Sequence, residues 1–125
     1  MHALRRAHDA LGPGGILLDL MPYAPWVPVE CSAGEVGKID AREFARGARE
    51  TEASLGRTVR EGLFALECEL RFDVLEHFDS SERLLEIVGD WGRTRIPQRV
   101  RSGVERASPP FQAREPVVLR RLRAL

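Results

Sequence analysis

Asparagine is absent from the 125 residues and Lys38 is the only lysine, so positive charge is carried almost wholly by arginine. That bias reflects a GC-rich coding sequence rather than a chemistry. The 19 basic and 19 acidic residues cancel, and the pI is near 6.8. No global field therefore favours nucleic acid or an anionic membrane. Cysteine is scarce: Cys31 and Cys68 stand alone. Two distant cysteines without paired spacing make neither a zinc site nor a disulfide framework. Cys68 falls on the apolar side of an alternating segment, where a thiol is expected to act as a small hydrophobe. No apolar run reaches membrane-spanning length, and "MHALRRAHDALG" lacks the apolar core of a secretion signal. A reduced, cytoplasmic protein without membrane or nucleic-acid partners is expected. No Ser–His–Asp signature, P-loop, H-E-x-x-H motif or metal-ligand cluster occurs, and there are no repeats.

What is present reads as one domain over residues 1–125. Ala3, Leu4, Ala7, His8 and Leu11 recur at helical spacing, which predicts an amphipathic helix over 2–11. Gly12 suits a left-handed cap, and Pro13 prevents continuation. "GGILLDL" then places Ile16, Leu17, Leu18 and Leu20 in an almost unbroken apolar run, as in a strand covered on both faces. Residues 21–33 carry three prolines and predict a loop presenting Tyr23 and Trp26. A small hairpin over 29–39, turning near Ser32 to Gly34, is a further possibility of the pattern.

The next segments are clearer. Asp40 with Glu43 forms a capping-box pattern, predicting a helix from Ala41 to Leu55 that Gly56 stops. "FALECELRFDV" alternates strictly, with Phe64, Leu66, Cys68, Leu70, Phe72 and Val74 on one side. Such alternation predicts an antiparallel strand near an edge, buried on one face and wet on the other. Asp79 with Glu82 opens a helix through Trp91, and Pro97 opens a shorter one with Val100, Val104 and Ala107 inward. "EPVVLRRLRAL" closes the chain as a strand. The arginines at 114, 120, 121 and 123 read as a solvated or salt-bridged face, because interleaved aromatics and a positive domain are lacking.

This order of elements resembles the C-terminal half of a class I S-adenosylmethionine-dependent methyltransferase. "LRRAHDALGPGGILLDLMP" is similar to the helix and L-x-P-G-G-x-L turn leading to that family's fifth strand. "FDSSERLLEIVGDW" resembles its later helix, and "VVLRRLRAL" its closing antiparallel strand. The resemblance implies a partial Rossmann-like α/β fold with a small mixed sheet of about three main strands. It also implies S-adenosylmethionine chemistry, yet no residue here matches the family's glycine-rich cofactor loop or its acidic partners. "GPGG" precedes a strand, so it offers no helix N-terminal amides to a ligand. No cofactor is expected to bind this chain alone. In the resembled fold the strand Ile16 to Leu20 pairs with the final strand on one side and with the fourth strand on the other. The fourth strand has no counterpart in these residues. The open edge implies a homodimer, a complementary chain, or a truncated remnant.

Five residues are candidates for a substrate site. Asp19 interrupts the apolar strand and stands either beside a substrate pocket at the strand's C-terminal end or as a satisfied polar residue bonded to a neighbouring turn. Tyr23, Trp26 and Glu30 leave the strand at its C-terminal end, where open α/β sheets bind ligands; the alternative is that the aromatics cover the core. His77, with Glu76 and Asp79 nearby, has the chemistry of a general base but poor chelating geometry. Glu67, Glu69 and Asp73 with Arg71 read as a solvated strand face. The chain is thus expected to be a substrate-side methyltransferase half without activity of its own. The alternative is a small homodimeric α+β ligand-binding or interaction module. A third reading, a small hydrolase or isomerase built on Asp19 or His77, has no supporting motif.

Overall fold

A strand that alternates apolar and polar residues needs bonded neighbours on its edges and cover on its apolar face, and the closing segment of this chain organises both. The computed structural model describes residues 2–125. It holds helices α1 (His2–Leu11), α2 (Arg42–Arg60), α3 (Ser81–Gly89) and α4 (Gln98–Arg106), with strands β1 (Ile16–Pro22), β2 (Trp26–Cys31), β3 (Gly34–Asp40), β4 (Phe64–Phe78) and β5 (Phe111–Ala124). One edge of β5 pairs with β4 along its whole length. The other edge pairs first with β2, at Ala113 and Gln112, and then with β1 from Val117 to Arg123. β3 joins β2 as a hairpin. The sheet thus has five strands in antiparallel pairs rather than about three in a mixed sheet. Among the described residues no helix is long and apolar enough to cross a membrane.

The extra strands come from residues 21–33, where three prolines predict a loop. Pro22 ends β1. Pro28 sits inside β2, and the register explains why it is tolerated. Ala41 N–H donates to Pro25 O, so the bonded pairs of this hairpin fall at Val27 and Val29, and Pro28 turns its nitrogen toward β5. The β5 ladder begins only at Val29, so no bond is lost. The turn at Ser32 and Ala33 falls where expected.

Helix ends follow local chemistry, with three departures from the sequence pattern. The α2 cap is Ala41, and Asp40 instead accepts the Arg42 backbone N–H and pairs with its guanidinium. That pairing holds the Asp40 carboxyl at about 2. Gly56 does not stop α2, because Leu55 and Thr58 carry the buried stripe past it; the chain turns at Gly62, where φ is +77°. Ser80 caps α3 by accepting the Arg83 N–H, in place of Asp79.

Residue parity along β5 divides the core. Val118, Leu122 and Ala124 face α2 and pack with Met21, Ala48, Leu55 and Phe64. Phe111 and Ala113 face the other way, under Leu84 and Val88 of α3 and Val100 and Val104 of α4. Farther along that second face the helices stop. Leu18, Leu20, Leu70, Phe72 and Val74 share it by register and are 40–65% exposed. This corrects two expectations: β1 is not covered on both faces, and β4 is not buried on its apolar face. A bulge between Leu66 and Cys68 also breaks the β4 alternation, so Phe64, which is buried, lies on the α2 face. Cys68 is exposed, not a core hydrophobe.

Among the described residues β1 is bonded to β5 alone. Tyr23 N–H donates to Pro116 O and Ala124 N–H to Gly15 O, so the alternation points the N–H groups of Leu17, Asp19 and Met21 at β5. Those of Ile16, Leu18 and Leu20 point to the free edge, where they make no hydrogen bond among the described residues.

α4 approaches β3 through two interlocked glycines. A Cβ on Gly37 meets Val100 Cγ2 at 2.8 Å, and one on Gly103 meets Val36 Cγ1 at 3.0 Å. Val100 is buried and stiff at χ1, so it cannot yield cheaply. Gly37→Ala is expected to destabilise the fold by about 1–3 kcal/mol, as overpacking does, read as a lower urea midpoint. An unchanged or higher midpoint would show that α4 does not pack this closely.

Candidate functional site

The sequence-predicted site residues disperse. Asp19 faces α2 and accepts from Arg120 Nη1 at 3.1 Å. The buried Arg120 also donates to Glu52 at 2.9 Å and lies 3.7 Å from Glu69. Asp19 is therefore one of several carboxylates satisfying a buried guanidinium in the middle of β5, not a residue bonded to a turn. Tyr23 lies beside this group, with the Arg71 guanidinium 4.9 Å from its ring centre. Trp26 sits on the far side of the hairpin under Arg42, at 4.8 Å.

Glu30 and His77 do come together across Gln112 of β5, one from β2 and one from β4. They border a shallow depression with Ser32 and Pro110. Two strand spacings put their backbones roughly 10 Å apart. Glu30 is held by Arg114 at 2.9 Å, and His77 bonds to neither Glu76 nor Asp79 among the described residues. No carboxylate is thus left to orient His77 as a base. The β5 arginines are paired rather than free: Arg114 with Glu30 and Asp73, Arg121 and Arg123 with Glu67.

A mostly apolar cleft lies elsewhere, at a gap in the sheet. β2 leaves β5 after Ala113 and β1 joins it at Val117, so Arg114 to Pro116 have no strand on that edge beyond the single bond from Tyr23 N–H. A cleft of about 250 Å³ opens there. Pro22 and Ala24 from the end of β1, Val27 of β2, and Ala41 and Phe44 at the start of α2 form its apolar sides. Trp91, Gly92 and Thr94 after α3 close it, and Glu115 with Pro116 form its floor on β5. The loop after α3 is pinned over α2 by Arg93, which adopts a left-handed backbone (φ +61°), reaches Glu43 at 3.6 Å and crosses Gly47.

Glu115 is the one ionisable group in this lining, and it makes no ion pair or side-chain hydrogen bond among the described residues. Burial raises its carboxyl above the usual range, and Glu76, on the same sheet face, adds to the rise. Sequence reading missed the cleft because five separated segments build it. The one local signal was an acid followed by proline inside an apolar closing strand.

No family model, curated protein or solved structure matches the chain.

A raised carboxyl pKa means that the folded chain holds the Glu115 proton more tightly than the unfolded one. Its contribution is present below the ordinary value of 4.5 and is lost as pH rises through the folded value. Glu115→Gln is expected to raise the urea midpoint at pH 7 and to leave it nearly unchanged at pH 4. An equal shift at both pH values would contradict a strained carboxylate.

Proposed function

We propose that the chain is the C-terminal, substrate-side half of a class I S-adenosylmethionine-dependent methyltransferase fold, completed by pairing along the free edge of β1. The carrying observation is the place of β1, bonded to the closing strand on one side and open on the other. The resembled fold puts its fourth strand at that open side. The unused donors of Ile16, Leu18 and Leu20 lie beside the bare side chains of Leu18 and Leu20, so one partner covers backbone and face together. β4 also has a free edge, but its exposed charges, Glu69, Arg71 and Asp73 among them, oppose strand addition there. β1 carries a single charge, Asp19, turned inward to Arg120.

In this reading a complementary segment brings the glycine-rich loop and S-adenosylmethionine, and this chain contributes the substrate wall at the end of β1. Methyl transfer then rests on holding the two reactants in line rather than on a strong acid or base. Both cysteines are free, which suits a reduced, cytoplasmic setting. A second reading, a homodimeric ligand-binding module, is favoured by one observation: the cleft between Pro22 and Glu115 is formed wholly within one chain.

The test is titration calorimetry of the purified chain with S-adenosylmethionine and S-adenosylhomocysteine, with its mass followed by light scattering. No heat is expected from either compound at millimolar concentration. Saturable binding would overturn the reading, because a cofactor site would then exist without the completing half.

A further inference from the structure

The cleft at the gap in β5 has a charge pattern that selects its occupant. Its walls are apolar, with Phe44, Val27 and the indole of Trp91 offering flat or branched surface. Its floor carries Glu115, with Glu76 as a second carboxylate on the same sheet face. The arginines adjoining the lining segments are paired elsewhere: Arg42 and Arg95 with Asp40, Arg93 with Glu43, and Arg114 with Glu30 and Asp73. A ligand entering this space therefore meets uncompensated negative charge at the floor and hydrocarbon on the sides.

We infer that the cleft is a binding site for a compact hydrophobic amine, with its ring against Trp91 and Phe44 and its ammonium on the Glu115 carboxylate. An ammonium at Glu115 relieves the desolvation and the repulsion from Glu76 that disfavour the bare carboxylate. Trp91, which lines the same cleft, supplies an aromatic ring for a cation–π contact. An anion would face the Glu115 carboxylate with Glu76 behind it on the sheet, and a neutral ring would leave Glu115 partly desolvated without a partner. The cleft's size suits a one- or two-ring molecule rather than a peptide or a nucleotide. The site lies within the described chain, so it stands or falls independently of the methyltransferase reading.

The test uses 3-phenyl-1-propylamine, 3-phenyl-1-propanol and 3-phenylpropionate, matched in chain length and differing in charge. Each is titrated into the full chain while the two indole N–H resonances, Trp26 and Trp91, are followed by NMR. The amine is expected to shift the Trp91 signal and not that of Trp26, and to bind at least tenfold more tightly than the alcohol; the acid is expected not to bind. Glu115→Gln is expected to fold and to remove the preference for the amine, whereas Ala24→Trp, which fills the cleft, is expected to abolish binding of the amine and the alcohol. The inference is overturned if the amine leaves Trp91 unshifted at millimolar concentration. It is equally overturned if the acid binds as well as the amine, or if the preference for the amine survives in Glu115→Gln.

Discussion

Every strand but β3 hangs on the hydrogen-bonding edges of β5. Backbone donors and acceptors in a sheet must be paired or solvated, and β5 meets this demand by taking β4 on one edge and β2 and β1 in succession on the other. That single choice fixes the parity of the sheet. Even-numbered residues of its second half meet α2, and odd-numbered residues of its first half meet α3 and α4. Arg120, buried mid-strand, ties the arrangement to β1, α2 and β4 through Asp19, Glu52 and Glu69. Removing that guanidinium would leave carboxylates from three elements facing one another.

The handover from β2 to β1 on one edge has two results. It leaves the short gap at Arg114 to Pro116 in which the apolar cleft forms. It also places β1 at the margin of the sheet, with its second edge free. The uncovered side chains of Leu18, Leu20, Leu70, Phe72 and Val74 continue the face that Phe78 and Phe111 begin under the helices. Burying what remains exposed of each would contribute about 1 kcal/mol apiece. Together that is comparable with the whole stability of a small domain, about 5–15 kcal/mol. An uncovered apolar face and a free strand edge thus lie side by side among the described residues.

Much of this was legible in the residues, for identifiable reasons. Gly12 after a helical stripe ended α1, and the alternation from Phe64 onward marked β4 as an antiparallel edge strand, because both signals are local. Asp19 was readable as an acid needing a partner, though not that the partner would be Arg120, some hundred residues away in the chain. Two misreadings share a cause. The apolar run of β1 and the apolar side of β4 imply burial, and periodicity records what a face is suited to rather than whether this chain covers it. The bulge after Leu66 and the strand at Pro28 depend on register, which no single segment encodes. Of the five sequence-predicted site residues, only Glu30 and His77 share a depression, and neither meets the cleft at Glu115.

The most direct measurement is amide hydrogen exchange resolved along β1, on a sample that light scattering shows to be monomeric. Leu17, Asp19 and Met21, whose amides bond to β5, should be protected, and Ile16, Leu18 and Leu20 should exchange freely. Protection of all six in the monomer would mean that the edge is already covered, and the case for a completing half would fall with it.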